Sequence, residues 1–131
     1  MSFTLSCGVQ GPMGKKQDTA ITVCAIDDLQ IRDARGFVYH RDGQPREAFV
    51  VRDGSLLVAY RNVCTHAGNP LNWKPHAFLT RNKDQIMCSV HGAVFEIETG
   101  LCTGGACPGR RLSALRVENV GGLVMVYPTE D

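Results

Sequence analysis

Two short stretches decide how this sequence folds and works: CTHAGNP, residues 64 to 70, and CSVHG, residues 88 to 92. Each places a cysteine two or three residues ahead of a histidine, in a chain that has only four histidines. The spacing is C-x-H in the first stretch and C-x-x-H in the second. Because thiolates and imidazoles are good ligands for transition metals, the repeated pairing predicts a shared metal site.

The length and composition predict a single domain in the cytoplasm. A chain of 131 residues can bury a sufficient core without disulfides. Its formal net charge of +1 provides no global field that would attract nucleic acid or an anionic membrane. The chain has neither the pattern of a secretory signal nor an apolar run long enough to cross a membrane. In a reducing compartment, we expect its six cysteines to be thiols or metal ligands.

The chain outside the two motifs reads as short β-strands separated by turn signals. Residues 1–18 lack periodicity and predict a flexible arm, and residues 19–131 predict one domain. Helical spacing is confined to a possible turn at residues 26–34. Strands are expected at 47–51, 55–60, 77–81, 85–88, 93–97, 112–119 and 123–128, with turns at Asp53-Gly54, 82–84, Thr99-Gly100 and Gly121-Gly122. This pattern predicts an all-β sandwich or small barrel.

The two cysteine–histidine pairs each leave the end of a predicted strand. If the two loops lie side by side, Cys64, His66, Cys88 and His91 present two thiolates and two imidazoles to one point. Such a set can hold a tetrahedral zinc ion, or a [2Fe-2S] cluster with the cysteines on one iron and the histidines on the other. A mixed pair in each loop favours the cluster, because finger-type zinc sites usually pair two cysteines within one loop.

At these residues the sequence resembles the Rieske iron–sulfur proteins. CTHAG and CSVHG match the two cluster-binding boxes of that family in residue type, order and spacing, and the resemblance extends from about residue 20 to Pro128. It implies a fold of three antiparallel sheets. In that fold a small subdomain is inserted into the larger β domain and carries the cluster-binding loops, at about residues 62–73 and 87–96.

The resemblance also implies which residues bind which iron of the cluster. Cys64 and Cys88 are expected on the inner iron, and His66 and His91 on the outer iron at the surface. Gly92 is expected to let a backbone N–H group approach a cluster sulfur. The same four ligands would therefore define the cofactor-binding site and the metal site.

Two departures from the respiratory-chain members of the family indicate the class of Rieske protein. Those members brace the loops with a disulfide, where this chain has Asn69 and Val90. They also place a serine and a tyrosine hydroxyl near the sulfurs, where this chain has Ala93 and Phe95. Hydrogen bonds to sulfur stabilise the reduced cluster, so we expect a potential in the lower part of the roughly −150 to +300 mV Rieske range.

The resemblance implies an electron carrier rather than an enzyme. An oxygenase would also need a mononuclear iron site of two histidines and a carboxylate, for which only His40 and His76 remain. We expect no further domain after Pro128. The chain is therefore expected to pass electrons from a reductase to an oxygenase, or to be a small electron-transfer subunit of another oxidoreductase. A zinc-binding or cluster-free interaction module is the alternative from a different class.

Partner proteins are expected to dock over the histidine ligands. The surface beside His66 and His91 would include Pro70, Leu71 and Trp73, and an apolar rim there suits a weak, transient encounter. The oligomeric state and the identity of the partners stay open.

The remaining cysteines are expected to be bystanders or packing residues. Cys102 and Cys107 fall in a segment that covers the cluster in related sequences, and we expect them to pack as small apolar residues. Cys7 and Cys24 are expected to have no role at the metal site.

Overall fold

The regular structure of this protein consists almost entirely of antiparallel β-strands. The computed structural model describes residues 20–63, 70–72, 74–89, 92–105 and 109–128. No helix in these ranges is long and apolar enough to cross a membrane. The strands are β1 (Ile21–Ala25), β2 (Arg32–Arg41), β3 (Gln44–Asp53), β4 (Leu56–Arg61), β5 (Ile86–Met87), β6 (Val94–Phe95), β7 (Cys102–Gly104), β8 (Ala114–Val120) and β9 (Leu123–Tyr127), with one 3-10 turn at Ile26–Asp28.

The strands form a six-stranded sheet in the order β1-β9-β8-β4-β3-β2 and a three-stranded sheet in the order β5-β6-β7. Strand β8 joins two halves of the larger sheet, because Ala114 and Leu115 pair with β4 whereas residues 116–120 pair with β9. The architecture therefore confirms the expected all-β fold of antiparallel sheets, in which the two halves of the larger sheet and the small sheet correspond to the three sheets that were expected. The small sheet is inserted in the chain between β4 and β8, and it forms the predicted subdomain.

Strand β3 is buried on both faces. Residues 48–51 are all buried, and alternate residues of a strand point to opposite faces. One face contributes to an inner core that draws residues from all six strands of the larger sheet, which shows that this sheet curls on itself. The inner core contains Cys24, Leu29, Tyr39, Ala48, Val50, Ala59, Leu115, Val124 and Val126.

The other face of the larger sheet packs against the subdomain and forms a second core. This shared core contains Ala34, Phe49, Val51, Tyr60, Leu71, Phe78, Ile86, Cys88, Ala93, Phe95, Ile97, Cys102 and Leu112. Phe49 of β3 stacks on Phe78, with ring centroids 4.2 Å apart. The Tyr60 hydroxyl donates a hydrogen bond of 2.6 Å to the Ile97 carbonyl in the subdomain. These contacts fix the subdomain on the larger sheet.

The turns confirm several predicted hairpins, and the structure contains one further hairpin that was not predicted. Strands β8 and β9 are joined at Gly121-Gly122, both with positive φ, as predicted. Strands β3 and β4 are also joined as predicted, although Asp53 remains in β3 and Gly54 alone has positive φ. The hairpin around residues 82–84 is shorter than expected, with one bridge between Leu79 and Ile86.

The predictions were incomplete in the first part of the domain. Strands β1, β2 and β7 were not predicted, and the possible helical turn at 26–34 is limited to the 3-10 turn followed by the start of β2. Strand β2 turns into β3 at Asp42-Gly43, where both residues have positive φ, as a tight hairpin requires. Strand β2 was not predicted because it lies at the edge of the sheet, where it pairs only with β3 and retains charged side chains.

We expect Tyr60→Phe to weaken the attachment of the subdomain. The substitution leaves the Ile97 carbonyl without its buried donor, which should lower the free energy of unfolding by about 1–3 kcal/mol. Urea denaturation measures the change. Tyr127→Phe is the matched control, because the Tyr127 hydroxyl makes only a long contact of 3.4 Å with Glu118.

The same variant should alter the dependence of stability on alkaline pH. Burial raises the pKa of Tyr60 from 10.0 to about 12. Above pH 10 the unfolded chain loses this phenolic proton while the folded protein retains it, so the contribution of Tyr60 is complete below pH 10 and declines as the pH rises toward 12. The stability difference between wild type and Tyr60→Phe should therefore shrink across this window. A constant difference would contradict the assignment.

Candidate metal centre

Two backbone hydrogen bonds involve the described residues of the second motif, which lies between β5 and β6. The Cys88 N–H donates to the Ala93 carbonyl at 2.8 Å, and the Gly92 N–H donates to the Cys88 carbonyl at 2.8 Å. Gly92 has a φ of +71°, a conformation that glycine adopts without strain. Cys88 has no solvent exposure and belongs to the shared core together with Ala93 and Phe95. These contacts hold the backbone of Cys88 in place, and its side chain lies in the shared core.

The first motif lies in a loop whose two described ends are joined by Asn62. This residue follows β4, and its Oδ1 accepts a hydrogen bond of 2.7 Å from the Leu71 N–H on the other side of the loop. Its Nδ2 donates to Asn72 Oδ1 at 2.9 Å and to Glu47 Oε1 at 3.2 Å. Its own N–H donates to the Glu47 carbonyl at 2.9 Å. One side chain thus closes the base of the loop and ties it to β3.

The two motif loops are joined to each other at Leu71. The Leu71 carbonyl accepts hydrogen bonds from the Ser89 N–H at 2.9 Å and from the Ser89 hydroxyl at 2.8 Å. Because Ser89 directly follows Cys88, this contact places the second motif beside the end of the first. The side-by-side arrangement expected for the two loops is therefore present at their described bases.

A third segment packs against the second motif. Gly105, after β7, has a φ of +85°, and a Cβ atom added there would lie 2.6 Å from the Ala93 Cα atom. The segment is closed at its base, since the Cys102 N–H donates to the Arg110 carbonyl at 2.7 Å. Only glycine allows the backbone to approach the second motif this closely.

The linker between the two motifs is anchored to the larger sheet. His76 Nδ1 accepts a hydrogen bond of 2.9 Å from the Gly36 N–H of edge strand β2. Next to it, a Cβ atom added at Gly36 would approach the Phe78 ring to 3.3 Å. His76 is exposed and serves the fold, and His40 is exposed near the end of β2.

Of the four predicted ligands, the structure describes Cys88 alone. Cys64, His66 and His91 lie outside the described residues, as do Trp73 and Cys107. Within the described ranges, no group of three or more His, Cys, Asp or Glu side chains gathers at one point. The ligand assignment therefore stays a prediction, which the positions of Cys88 and of the loop bases support.

One secondary expectation was wrong. Leu71 was expected on the docking surface, but it has no solvent exposure and belongs to the shared core. Gly92 was expected to let a backbone N–H group approach a cluster sulfur, and this stays a prediction; its own N–H donates to the Cys88 carbonyl. Both groups maintain the shape of the loops.

The other two described cysteines lie away from solvent. Cys24, in β1, belongs to the inner core, and burial raises the pKa of its thiol. Cys102 is buried in the shared core, and its Sγ lies 3.2 Å from the Gly104 carbonyl. These positions agree with the expected packing role of Cys102 and place Cys24 in a different core from Cys88.

Sequence reasoning overlooked Asn62 and Ser89. Asn62 carries a weak signal, because a short polar side chain where a strand ends often bonds to nearby backbone groups. Ser89 carries no signal of this kind, since its partner, Leu71, lies 18 positions away in the chain. A hydrogen bond between two loops depends on the tertiary arrangement.

Cys88, the one predicted ligand that the structure describes, fits the [2Fe-2S] cluster that the resemblance implied. The thiolate is the form of cysteine that binds iron. A completely buried cysteine suits the inner iron, which is shielded from water. The side chains of Ala93 and Phe95 in the same core carry no hydroxyl group. Cys88 is thus placed to bind a metal from the protein side.

Comparison with solved structures gives matches over most of the chain. The ferredoxin of carbazole 1,9a-dioxygenase from Nocardioides aromaticivorans IC177 is 26% identical, with a TM-score of 0.63, and the match covers 85% of this chain and 99% of that one. A chain in the complex of reduced oxygenase and oxidized ferredoxin in carbazole 1,9a-dioxygenase is also 26% identical, with a TM-score of 0.67 and coverage of 88% and 98%.

The similarity to a longer chain in another solved structure shows only that the two chains share a fold. The longer chain comes from the reduced complex between oxygenase and ferredoxin in carbazole 1,9a-dioxygenase, and it is 19% identical, with a TM-score of 0.66. The match covers 86% of this chain but 29% of the longer one. No curated protein matches the chain significantly.

A family model gives the assignment directly. The model of the Rieske [2Fe-2S] domain matches residues 19–127, which include both motifs and all nine strands. The match favours a [2Fe-2S] cluster over the zinc ion that the motif spacing left open. The chain belongs to the Rieske [2Fe-2S] domain family and is an electron carrier that uses a [2Fe-2S] cluster.

Proposed function

We propose that this protein carries single electrons from a reductase to an oxygenase, with Cys64, His66, Cys88 and His91 as the ligands of its cluster. The match to a dioxygenase ferredoxin over nearly the whole length of both chains is the observation that carries this proposal. The cluster, when bound, accepts one electron and releases it again. We propose a cytoplasmic location and one domain from residue 19 onward; the arm that the sequence predicts at residues 1–18 lies outside the described residues.

The protein's own residues shield the inner ligand and leave the other side of the site to partners. Cys88 is buried in the shared core, and its carbonyl accepts a hydrogen bond from the Gly92 N–H. On the surface beside the first loop, Val63 is 36% exposed and Pro70 is exposed. An apolar rim beside the histidine ligands would support a short-lived complex, in which a small contact area permits rapid release.

The absence of hydroxyl groups on Ala93 and Phe95 supports a low reduction potential. Both side chains are completely buried in the core that contains Cys88. Because hydrogen bonds to sulfur stabilise the reduced, more negative state, apolar neighbours favour the oxidised state. We therefore propose a potential in the lower part of the Rieske range, which suits a donor to an oxygenase.

The ligand assignment predicts selective loss of the cluster. Cys88→Ser, Cys64→Ser and His91→Ala should each abolish the visible absorption and the electron paramagnetic resonance signal of the dithionite-reduced protein. Cys24→Ser is the matched control, because it removes a buried thiol from the inner core and should leave both spectra unchanged. Equal loss in Cys24→Ser, or a wild-type signal in Cys88→Ser, would disprove the assignment.

We expect the reduction potential to rise when hydroxyl groups are introduced at residues 93 and 95. Ala93→Ser combined with Phe95→Tyr should shift the reduction potential upward, because both hydroxyls would be available to cluster or ligand sulfur. Voltammetry of the intact protein measures the shift. Phe37→Tyr adds a hydroxyl beside the inner core and should leave the potential unchanged. An unchanged or lower potential in the double variant, with the cluster retained, would contradict the hydrogen-bond argument.

Electron transfer should be sensitive to charge at Val63. Val63→Asp should slow oxidation of the reduced protein by the oxygenase component of carbazole 1,9a-dioxygenase about threefold to tenfold, because a buried interface disfavours an unpaired charge. Stopped-flow absorbance gives the rate, and voltammetry checks that the potential is unchanged.

Val120→Asp is the matched control for docking. Val120 is 48% exposed at the far end of β8, about 20 Å from the end that adjoins Arg61. Its substitution should leave the rate of electron transfer unchanged. The proposed docking surface is wrong if both variants slow the reaction equally.

A further inference from the structure

Asn62 stands out because it is the one buried amide side chain among the described residues. It is 4% exposed, and both ends of its amide are used. The Oδ1 atom accepts from the Leu71 N–H, and the Nδ2 group donates to Asn72 and Glu47. A buried amide is costly unless its hydrogen bonds are made, so its presence at the base of a loop calls for a specific role.

The peptide groups of Leu71 are held from two sides. Its N–H is bound by Asn62 of the first loop at 2.7 Å, and its carbonyl is bound twice by Ser89 of the second loop, at 2.8 and 2.9 Å. The Leu71 side chain is buried in the shared core. Asn62, Leu71 and Ser89 therefore form a continuous hydrogen-bonded brace between the two loops.

This brace lies between the same two loops that a disulfide joins in the respiratory-chain members of the family. The present chain has Asn69 and Val90 at the positions of those cysteines, so that covalent link cannot form. The side chains of Asn62 and Ser89 provide a link through hydrogen bonds instead. A link that joins Leu71 to both loops limits their separation, as a crosslink would.

We propose that Asn62 is a positioning residue that, through Leu71 and Ser89, holds the two loops in register for cluster binding. The effect on the cluster rests on the proposed ligand assignment, whereas the brace itself does not. Substitution of Asn62 would leave the buried Leu71 N–H without its acceptor, and it would remove the donor to the partly buried Asn72 Oδ1 and to Glu47 Oε1. The loops would then separate more often without unfolding of the larger sheet.

Hydrogen exchange of the purified full-length protein tests the brace directly. In Asn62→Ala, peptides that contain Leu71 and Ser89 should exchange about tenfold faster than in wild type, which corresponds to about 1.4 kcal/mol. Ser89→Ala loses the hydroxyl contact but keeps the backbone one, so a smaller acceleration of about threefold is expected. Peptides from β3 and β8 should exchange at the wild-type rate in both variants.

Asn119→Ala is the matched control. The Asn119 Oδ1 atom closes the β8–β9 turn by accepting from the Gly122 N–H at 3.0 Å, a contact of the same kind as that of Asn62 with Leu71. Its removal should accelerate exchange in that turn only. Exchange at Leu71 and Ser89 should stay at the wild-type rate.

Release of iron to a chelator tests the consequence for the cluster. Loss of visible absorption in the presence of excess chelator should be about tenfold faster in Asn62→Ala than in wild type, and unchanged in Asn119→Ala. The wild-type protein is the reference for both outcomes. If it bound no cluster, the proposed function would fail, while the exchange measurement would still decide whether the brace exists.

Three results would overturn the proposal. The first is wild-type exchange at Leu71 and Ser89 in Asn62→Ala. The second is equally fast iron release from Asn62→Ala and Asn119→Ala. The third is complete unfolding of Asn62→Ala while Ser89→Ala exchanges at the wild-type rate, because Asn62 would then support the whole fold rather than the loops.

Discussion

The burial of β3 on both faces is the constraint on which the rest of the structure depends. A strand with two apolar faces needs a cover on each side. The larger sheet covers one face by curling on itself, and the subdomain covers the other. The position of the subdomain is therefore set by the core, and Cys88, which lies within that shared core, takes its place from the same packing. The inner part of the proposed site is an extension of the hydrophobic core.

Hydrophobic packing alone leaves the relative position of the two loops undetermined. Strands β5 and β6 have two residues each, so few ladder hydrogen bonds are available to hold the loops that they carry. Contacts of another kind supply this order: Asn62 closes the first loop, Ser89 joins the two, and Gly105 lets a third segment approach the second motif. These polar and steric contacts act where the short strands of the subdomain provide few ladder hydrogen bonds.

The sequence predicted the parts of the fold that local patterns encode. The β3–β4 and β8–β9 hairpins are bounded by turn glycines with apolar strands on either side, and both were found. Edge strand β2 was missed because its charged residues hide the alternation, although Asp42-Gly43 was available as a signal. At the site, residue types and spacing identified the motifs. The hydrogen-bonded brace could not be predicted from the sequence, because Ser89 and Leu71 come into contact only in the folded protein.

A hydrogen-bonded brace has a chemical consequence that a disulfide would not. A disulfide between the loops could be reduced by a thiol pool, and its loss would loosen the site under the conditions in which an electron carrier is most reduced. The contacts of Asn62 and Ser89 involve amide and hydroxyl groups, which have no redox chemistry at these potentials. The geometry of the loop bases is therefore independent of the redox state of the surroundings. For a protein proposed to cycle at low potential, this independence is a physical reason for the chain to use polar side chains where other members of its family use two cysteines.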